Sequence, residues 1–463
     1  MYQTLKRFLY ILLALGLFVS CDRPTPDPPK PEPEPIVRDT PDIIHCDTIP
    51  GSLPRIPLHR AFTHAQPMTG LVLWLDQARD RHAEFGNAIS LEFAYCLPCR
   101  VVTGKENEEI QYNWNYVDSI LDDVASRNHQ AVLRFRYEYP GNREVDGVAG
   151  TTAVPAYIKA DPEYHETFNN NDDGPTYYAD WNSSELKWFT QQFYTDFAER
   201  YNYDPRLAFV EVGFGHWSEY HIYGTELMLG TNFPSHEYQA EFLEHMSSVM
   251  EKPWLISIDA ADETYTPIVG SSELMALNFG NFDDSFMHRD HEDNYNEECW
   301  VALGYQTRWM RAPHGGEISY YSSRDQRGFL NPAGLYGHTW EEQAAKYHIT
   351  FMIANDAPGT TYGTPERFLE AALSSGYKFK VLDVKGDADS TLILVTNVGV
   401  APIYAEANFS IGQISANQSL SYLMPGDTGL VTLYASMQSG KTLEIYSPAV
   451  LDDQVIEFEA NVE

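Results

Sequence analysis

The sequence predicts an α/β fold, a (β/α)₈ TIM-type barrel followed by a small C-terminal antiparallel β-sandwich. Three observations lead to this prediction. Between residues 70 and 357, short and nearly continuous apolar runs alternate with stretches of helical periodicity, which is typical of parallel strands covered on both faces. Eight such runs are present, and eight strands close a barrel of this kind. After residue 376 apolar and polar residues alternate between turn residues, which indicates antiparallel strands.

The eight predicted barrel strands are TGLVLWLD (69–76), AISLEFAY (88–95), QAVLRFRYEYP (130–140), LAFVEVGFG (207–215), PWLISIDA (253–260), LMALNFGN (274–281), APHGGEISYY (312–321) and ITFMIAND (349–356). Because the first two runs lie close together, a count that differs by one also fits the pattern. Helices are predicted at 116–129, 183–201, 236–250, 294–310 and 365–376.

The first twenty residues are predicted to be the signal peptide of a lipoprotein. Lys6 and Arg7 precede an apolar run, 8–19, that is too short to span a bilayer as a permanent helix. The residues before Cys21 resemble a bacterial lipobox, with Phe18 where Leu is more usual. The resemblance implies cleavage before Cys21 and lipidation of its thiol. A plain secretory signal is the alternative.

The segment after Cys21 is predicted to be an extended tether. Eight of the twenty-one residues in 22–42 are Pro, and such a charged, Pro-dense run behaves as a stiff spacer. We therefore divide the chain into a signal peptide, a tether, the barrel and the sandwich, at 1–20, 21–45, 46–376 and 377–463. The predicted location is the cell envelope, lipid-anchored to the outer membrane of a Gram-negative bacterium, with exposure at the cell surface left open.

The composition excludes some partners. The chain has 31 Lys and Arg residues against 66 Asp and Glu residues, and the formal charge of −35 argues against nucleic acid. Its 30 Tyr, 23 Phe and 9 Trp residues suit stacking on sugar rings, and they also suit an ordinary core. No apolar run after the signal peptide approaches the roughly 18 residues that a membrane helix needs.

No metal site and no organic cofactor are predicted. Cys96 and Cys99 have redox or half-zinc spacing without a second pair, so a local disulfide is the favoured interpretation in an exported protein. The acidic stretches 169–180 and 282–293 are interpreted as polar loops; the first lacks the closing Glu of a calcium loop. His216 and His221 are interpreted as loop hydrogen-bonding residues.

Carboxylates recur at the C-terminal ends of the predicted strands, where the active sites of barrels lie. Glycoside hydrolysis needs two carboxyl groups beside the scissile bond, one as acid and one as nucleophile or base. The acids at these positions are Glu92, Glu138, Glu219, Asp259, Asp262, Asp283, Asp284, Glu317 and Asp356.

Several motifs, in order, resemble clan A glycoside hydrolases: Glu92, YNW (112–114) and VLRFRYEYPG (132–141). More narrowly, FGHWSEY (214–220), NFGNFDD (278–284) and GGE (315–317) resemble the lipoprotein group called domain of unknown function 4832. The resemblance spans roughly residues 70–399. It implies that Glu219 is the acid/base and Glu317 the nucleophile. For Glu219, a helix cap or an ion pair with Arg134 or Arg136 is the alternative. Ser218 departs from the clan, which usually has an Asn there that contacts the sugar 2-hydroxyl.

Ten further residues are predicted to contact the substrate. Structural ion pairing is the alternative for the arginines, and core packing is the alternative for the large aromatic residues. The candidates are Glu92, Arg134, Arg136, Glu138, Trp181, His216, Trp217, Tyr220, Asn278 and Asp283.

The sequence thus favours an envelope lipoprotein that hydrolyses glycosidic bonds of a poly- or oligosaccharide by a two-carboxylate, retaining mechanism. A glycan-binding lipoprotein without catalysis on the same barrel is the alternative, and a structural or adhesive surface protein is a third class. Only the enzyme requires two convergent carboxylates in one aromatic-lined pocket.

Overall fold

The computed structural model describes residues 43–463 except 142–143, 146–147, 150, 172–173 and 438–440, and it does not describe the side chains of 144–145, 148–149, 171 and 293. The predicted signal peptide and almost all of the predicted tether, including Cys21, lie outside the described residues. Within the described part of the chain, no helix combines the length and the apolar character needed to cross a bilayer.

Eight parallel strands form a closed barrel, and the predicted fold class is confirmed. Each strand pairs with its successor along the chain, and the last pairs with the first, so the strands follow the chain order around the ring. The barrel strands are β1 (Gly70–Trp74), β2 (Leu91–Cys96), β3 (Gln130–Phe135), β4 (Leu207–Val212), β5 (Trp254–Ser257), β6 (Gly280–Phe286), β7 (His314–Ile318) and β8 (Phe351–Ile353).

Helices occupy the intervals between the barrel strands, and one helix follows the last strand. The longer ones are Leu75–Phe85, Asn115–Ala125, Ser184–Tyr201, His236–Val249, Tyr295–Ala302, Trp340–Lys346 and Pro365–Ala372. The shorter ones are Pro98–Val101, Ala156–Lys159, Ser272–Met275, Tyr305–Arg308 and Ser323–Gly328, with 3₁₀ turns at Ile258–Ala261 and His291–Asp293.

Two elements differ from the sequence-based prediction. The apolar run predicted as the sixth strand (274–281) contains the end of a short helix, because Ser271 caps that helix by accepting a hydrogen bond from the Leu274 amide at 3.2 Å. The strand itself begins at Gly280. Between the first two strands, the interval that seemed too short holds the helix Leu75–Phe85, so the first β/α unit is complete.

The C-terminal residues form antiparallel sheets, and N-terminal segments join them. A six-stranded sheet has the order Ile44–His45, Thr428–Leu433, Thr391–Asn397, Phe379–Gly386, Glu459–Val462 and Leu58–Arg60. Its one parallel pair joins Phe379–Gly386 to Glu459–Val462. A three-stranded sheet contains Ile414–Ser415, Asn408–Ile411 and Leu443–Tyr446. Short hairpins pair Val102–Glu106 with Glu109–Tyr112, Glu144–Val145 with Val148–Ala149, and Thr167–Asn171 with Gly174–Tyr178.

One buried apolar cluster continues from the barrel interior into the C-terminal sheets. Its barrel members include Phe93, Phe209, Phe282 and Phe351, and the rings of Phe209 and Phe351 stack with centroids 4.9 Å apart. The same cluster includes buried residues of the sheets, such as Phe379. These aromatic rings fill the barrel interior below Arg134 of β3 and Glu211 of β4, which are polar residues nearer the C-terminal ends of their strands.

The expected disulfide between Cys96 and Cys99 is wrong. Cys96 is a free thiol and fully buried at the end of β2. Burial raises the pKa of this thiol to about 12, which is typical of an inert structural cysteine.

Candidate active site

The site is organised around Arg134, whose position follows from the two-residue repeat of a strand. On β3, Val132 packs inside the barrel in the phenylalanine cluster, and Arg134 is the next residue on the same face. The strand register places Tyr95 of β2 and Glu211 of β4 directly beside Arg134. The guanidinium lies over the ring of Phe282, 4.1 Å from its centroid, and is fully buried.

Three carboxylates share this one guanidinium. Arg134 donates through Nε to Glu211 at 2.7 Å, and its Nη2 lies 2.6 Å from the same oxygen. Nη1 donates to Glu219 at 3.1 Å, and Nη2 donates to Glu317 at 3.1 Å. The Tyr95 hydroxyl accepts a further hydrogen bond from Nη1 at 3.2 Å. Glu219 and Glu317 therefore converge on a single group from β4 and β7, although these strands are on opposite sides of the barrel.

The loop after β4 holds Glu219 through a tight, strained backbone. Trp217 and Ser218 have φ values of 53° and 65°, a region that non-glycine residues rarely adopt. The Gly215 amide donates to the Glu219 carbonyl at 2.8 Å, and the Ser218 hydroxyl donates to the carbonyls of Gly213, at 3.0 Å, and Phe135. Ser218 is fully buried in these contacts, so its side chain is not directed at a ligand.

Two glycines place Glu317 on β7. A Cβ at Gly315 would collide with the ring of Phe351, which fills the barrel at this level. Gly316 has a φ of 142°, and a Cβ there would overlap the backbone of Asp283 on the neighbouring strand. Only glycine fits at these two positions, and the close approach of β6 and β7 directs the Glu317 carboxylate to Arg134.

A second group of polar side chains adjoins Glu219. His221 Nδ1 lies 2.9 Å from Asp259 Oδ2 and 3.9 Å from Glu219 Oε2. Asp259 also accepts a hydrogen bond from the Ser257 hydroxyl at 3.0 Å. The half-buried Asp284 of β6 lies close enough for the charges of Glu219 and Asp259 to raise its pKa, which burial already raises well above its ordinary value.

The electrostatics of the carboxylate pair are dominated by burial. Burial raises the pKa of Glu219 to about 7, although Arg134 and His221 oppose the rise. Burial raises the pKa of Glu317 to about 8; Arg134 opposes this shift, and the charge of Glu219 adds to it. Burial also raises the pKa of Glu211, against the effect of Arg134. Burial by itself would lower the pKa of His221, but Asp259 and Glu219 raise it to about 10.

Two other predicted substrate-contact residues, Arg136 and Trp217, lie next to Tyr95 and His221 of the site. The Arg136 guanidinium, two residues beyond Arg134, lies 3.6 Å from the ring centroids of both Tyr95 and Tyr139. Trp217 is half-buried, with its ring centroid 6.3 Å from that of His221. Nearby, the exposed Tyr320 and Tyr321 follow β7 and supply aromatic faces at the same end of the barrel.

Four predicted residues are buried in the walls behind the site. His216 packs between the rings of Tyr178 and Tyr223, and burial lowers its pKa to about 3, so it is neutral. Glu138 accepts a hydrogen bond from the Ala179 amide at 3.0 Å, and burial raises its pKa well above the ordinary value. Trp181 and Tyr220 are fully buried and pack edge-on against Phe214, which agrees with the core alternative.

The structure does not bring Glu92, Asp283 and Asn278 to the pair. Glu92 faces outward on β2 because it alternates with the inward-facing Phe93 and Tyr95, and its carboxylate binds Arg127 and His129. Asn278 precedes β6, at the opposite end of the barrel from the site.

Asp283 likewise faces outward, between the inward-facing Phe282 and Asp284. Its carboxylate accepts hydrogen bonds from the side chains of Asn296, at 2.8 Å, and Trp300, at 2.8 Å, and its Oδ2 lies 3.0 Å from His291 Nε2. Asp283 therefore fastens the helix Tyr295–Ala302 to the barrel, and the expectation that it contacts a substrate is not supported.

Five polar residues of the site were not among the predicted catalytic or substrate-contact residues: Tyr95, Glu211, His221, Asp259 and Asp284. The sequence indicated Asp259 and Asp284 only as carboxylates at strand ends, and His221 only as a loop hydrogen-bonding residue. The sequence contains a signal for the strand residues: a polar residue two positions after an inward-facing aromatic residue must also face the barrel interior. Glu211, two positions after Phe209, is an example. The proximity of His221 and Asp259 follows from loop conformation, for which no comparable pattern exists.

No protein-family model and no curated protein matches the sequence. Among solved structures, the chain is similar to the catalytic domain of a β-amylase from Paenibacillus polymyxa, with 12% identity, a TM-score of 0.41, and coverage of 66% of this chain and 98% of that one. A trimodular GH5_4 endoglucanase shows 10% identity, a TM-score of 0.36, and coverage of 87% and 79%. A GH39 β-xylosidase from Caulobacter crescentus shows 10% identity, a TM-score of 0.34, and coverage of 77% and 81%. These scores carry no argument about function.

Proposed function

We propose that the protein is a glycoside hydrolase in which Glu219 and Glu317 are the catalytic carboxyl groups. The observation that carries the proposal is their shared contact with the Arg134 guanidinium, each at 3.1 Å, at the C-terminal end of the barrel. Because Glu219 Oε1 and Glu317 Oε1 each lie 3.1 Å from a nitrogen of the same guanidinium, their separation cannot exceed the width of that group plus two hydrogen bonds. This upper limit is compatible with the roughly 5–9.5 Å between the carboxyl groups of retaining and inverting enzymes.

In the proposed retaining reaction, Glu317 attacks the anomeric carbon while Glu219 donates a proton to the departing glycosidic oxygen. Water then attacks the glycosyl-enzyme ester as Glu219 takes its proton, which releases the sugar and restores both carboxyl groups. A pKa near 7 allows Glu219 to hold a proton at neutral pH and to accept one later. Arg134 favours the ionised form of Glu317 that the attack requires.

The pKa values do not assign the roles of the two residues, because burial raises both and the value of Glu317, about 8, is the higher. The roles therefore come from the clan resemblance. Because burial raises both pKa values, they do not show which of the two carboxyl groups holds the proton. The proposed reaction requires it on Glu219 when a glycan is bound. An experiment on the function must therefore distinguish acid from nucleophile.

The experiment is a hydrolysis screen on plant, algal and host glycans and aryl glycosides, with the parent protein, Glu219→Gln and Glu317→Gln. Each variant should lose activity by at least about 100-fold, because Gln can neither ionise nor donate the required proton. Glu226→Gln, an exposed acid in the same loop region, is the matched control and should retain activity.

Azide assigns the roles. With Glu317→Gly, azide should enter from the face that the nucleophile leaves open and give a glycosyl azide of inverted anomeric configuration. With Glu219→Gly, azide should replace the water of the second step and give the retained configuration. Full activity of either Gln variant, on a glycan that the parent cleaves, would remove that residue from the mechanism.

A non-catalytic glycan-binding protein is the second candidate, and Ser218 favours it. The clan Asn that contacts the sugar 2-hydroxyl is replaced by a serine whose hydroxyl is fully engaged by the carbonyls of Gly213 and Phe135. This candidate predicts that a glycan which binds in calorimetry is recovered uncleaved. Hydrolysis of such a glycan by the parent protein, and not by Glu219→Gln, would contradict it.

We further propose, from the N-terminal sequence, that the protein is a lipoprotein anchored to the outer membrane through acylated Cys21, as in the lipoprotein group of domain of unknown function 4832. The tether would hold the barrel away from the membrane surface.

A further inference from the structure

We propose that Glu219, His221 and Asp259 form a binding site for a divalent transition-metal ion such as Zn²⁺. The site goes beyond the proposed function, and its existence does not depend on it. Only the effect of the metal on activity rests on the proposed role of Glu219.

The geometry of the three side chains fits a metal ion. One potential ligand atom from each residue lies within 4.8 Å of the other two. The separations that involve His221 Nδ1 are 2.9 Å to Asp259 Oδ2 and 3.9 Å to Glu219 Oε2. Zinc–nitrogen and zinc–oxygen bonds are about 2.0–2.2 Å long, so ligand atoms three to four ångströms apart can share one ion.

A second observation points to a missing ligand. Glu219 is 3% exposed, and its Oε2 atom is buried without any hydrogen-bond partner, whereas its Oε1 atom is held by Arg134. A buried carboxylate oxygen without a partner costs free energy unless a hydrogen-bond donor or a cation lies beside it. This oxygen faces His221 and Asp259, so an ion at that point would satisfy it.

The carboxylate oxygen of Asp259 that would bind the ion is already oriented by a neighbouring side chain. Ser257 donates to Asp259 Oδ2 at 3.0 Å, as is common for the partners that orient metal-binding carboxylates. Asp284 lies on the inward face of β6 beside the cluster, where its charge interacts with those of Glu219, Asp259 and His221.

The donor set selects the kind of metal. Imidazole nitrogen suits zinc, iron, nickel and copper, whereas calcium and magnesium prefer sites made wholly of oxygen. One nitrogen and two carboxylate oxygens therefore favour Zn²⁺ or Mn²⁺ over Ca²⁺ or Mg²⁺. Binding would displace the hydrogen bond between His221 and Asp259, and the imidazole would enter as its neutral form and release its proton.

An ion at this site would take the free Glu219 oxygen. Glu219 would then be unable to carry the proton that the proposed hydrolysis needs, so we expect the metal to inhibit that activity. Chelation would restore it. We therefore expect the metal-free protein to hydrolyse its glycan and zinc to inhibit that hydrolysis.

Isothermal titration calorimetry of the chelator-treated full chain with Zn²⁺, Mn²⁺ and Mg²⁺ tests the site directly. The parent should bind one Zn²⁺ per chain, bind Mn²⁺ more weakly, and show no heat with Mg²⁺. His221→Ala and Asp259→Asn should each weaken Zn²⁺ binding by at least about tenfold, since each removes one ligand. His59→Ala, an exposed histidine on an edge strand of the C-terminal sheet, is the matched control and should bind as the parent does.

The proposal would be overturned if the parent and His221→Ala bound zinc with equal affinity while circular dichroism showed both proteins to be folded. It would also be overturned if the parent bound no zinc. Because binding is measured without a substrate, its outcome is independent of whether any glycan is cleaved. A protein that binds zinc at His221 but hydrolyses nothing would retain the metal site and lose the proposed function.

Discussion

Replacing Arg134 by Met tests the electrostatic core of the site. The change removes the guanidinium that contacts Glu211, Glu219 and Glu317 at 2.6 Å, 3.1 Å and 3.1 Å, and it retains an apolar stem over Phe282. Removing one partner of a buried ion pair costs about 3–5 kcal/mol, because the remaining charge stays buried and uncompensated. Such a loss is a large part of the roughly 5–15 kcal/mol that stabilises an ordinary protein. We expect a melting temperature lower by roughly 5 °C or more.

The loss should depend on pH. Arg134 lowers the pKa values of the three carboxyl groups, so its removal raises their folded-state pKa values further above the unfolded value near 4.5. A carboxyl group whose pKa is raised on folding gives stability that is present below the unfolded pKa and is lost as the pH rises through the folded pKa. The difference between parent and variant should therefore be small at pH 5 and large at pH 9.

Urea denaturation followed by tryptophan fluorescence at pH 5, 7 and 9 measures the effect. Arg200→Met is the control, since Arg200 pairs with Asp118 at the surface and such pairs contribute about 0–1 kcal/mol. If Arg134→Met unfolds at the same urea concentration as the parent at pH 9, or loses equal stability at pH 5 and pH 9, the three-carboxylate account is refuted.

Four further outcomes are expected. Glu317→Gln should flatten the fall in unfolding free energy between pH 5 and pH 8, because the Glu317 pKa rises from 4.5 unfolded to about 8 folded; an unchanged pH slope in urea denaturation would contradict this. Gly316→Ala should destabilise the fold by about 1–3 kcal/mol, because of its positive φ and the overlap with the Asp283 backbone, whereas Gly104→Ala, which meets open space, should melt as the parent does. Ser218→Asn, which introduces the residue of the clan, should lower the melting temperature without raising hydrolytic activity, since the side chain is enclosed between two carbonyls; a gain in activity would contradict the described loop. Cys21→Ala should release the protein from membranes on fractionation, and continued membrane association would exclude the lipoprotein proposal.

Much of the architecture was determined by the sequence alone. Eight nearly continuous apolar runs separated by helical segments specify a parallel sheet covered on both faces. A strand that is apolar on both sides must be buried on both sides, and the intervening helices supply that cover in a parallel sheet. Alternation after residue 376 specifies antiparallel strands for an equally local reason, the two-residue repeat of side chains. Ser183 also marks the start of its helix, where it accepts a hydrogen bond from the Leu186 amide at 3.2 Å.

The composition of the site was decided only by the tertiary structure. The sequence analysis predicted Asp283 as a substrate contact, but on β6 Asp283 faces outward and its neighbour Asp284 faces inward. Which of two neighbouring strand residues faces the interior is set by the packing around the strand. Glu219 and Glu317 are 98 positions apart, and no local pattern shows that one arginine on a third strand contacts both. Closure of the barrel brings them together, because β7 and the loop after β4 both direct a carboxyl group to Arg134 in the barrel interior. The pairing of His221 with Asp259 has the same origin, in loops that meet only when the barrel is closed.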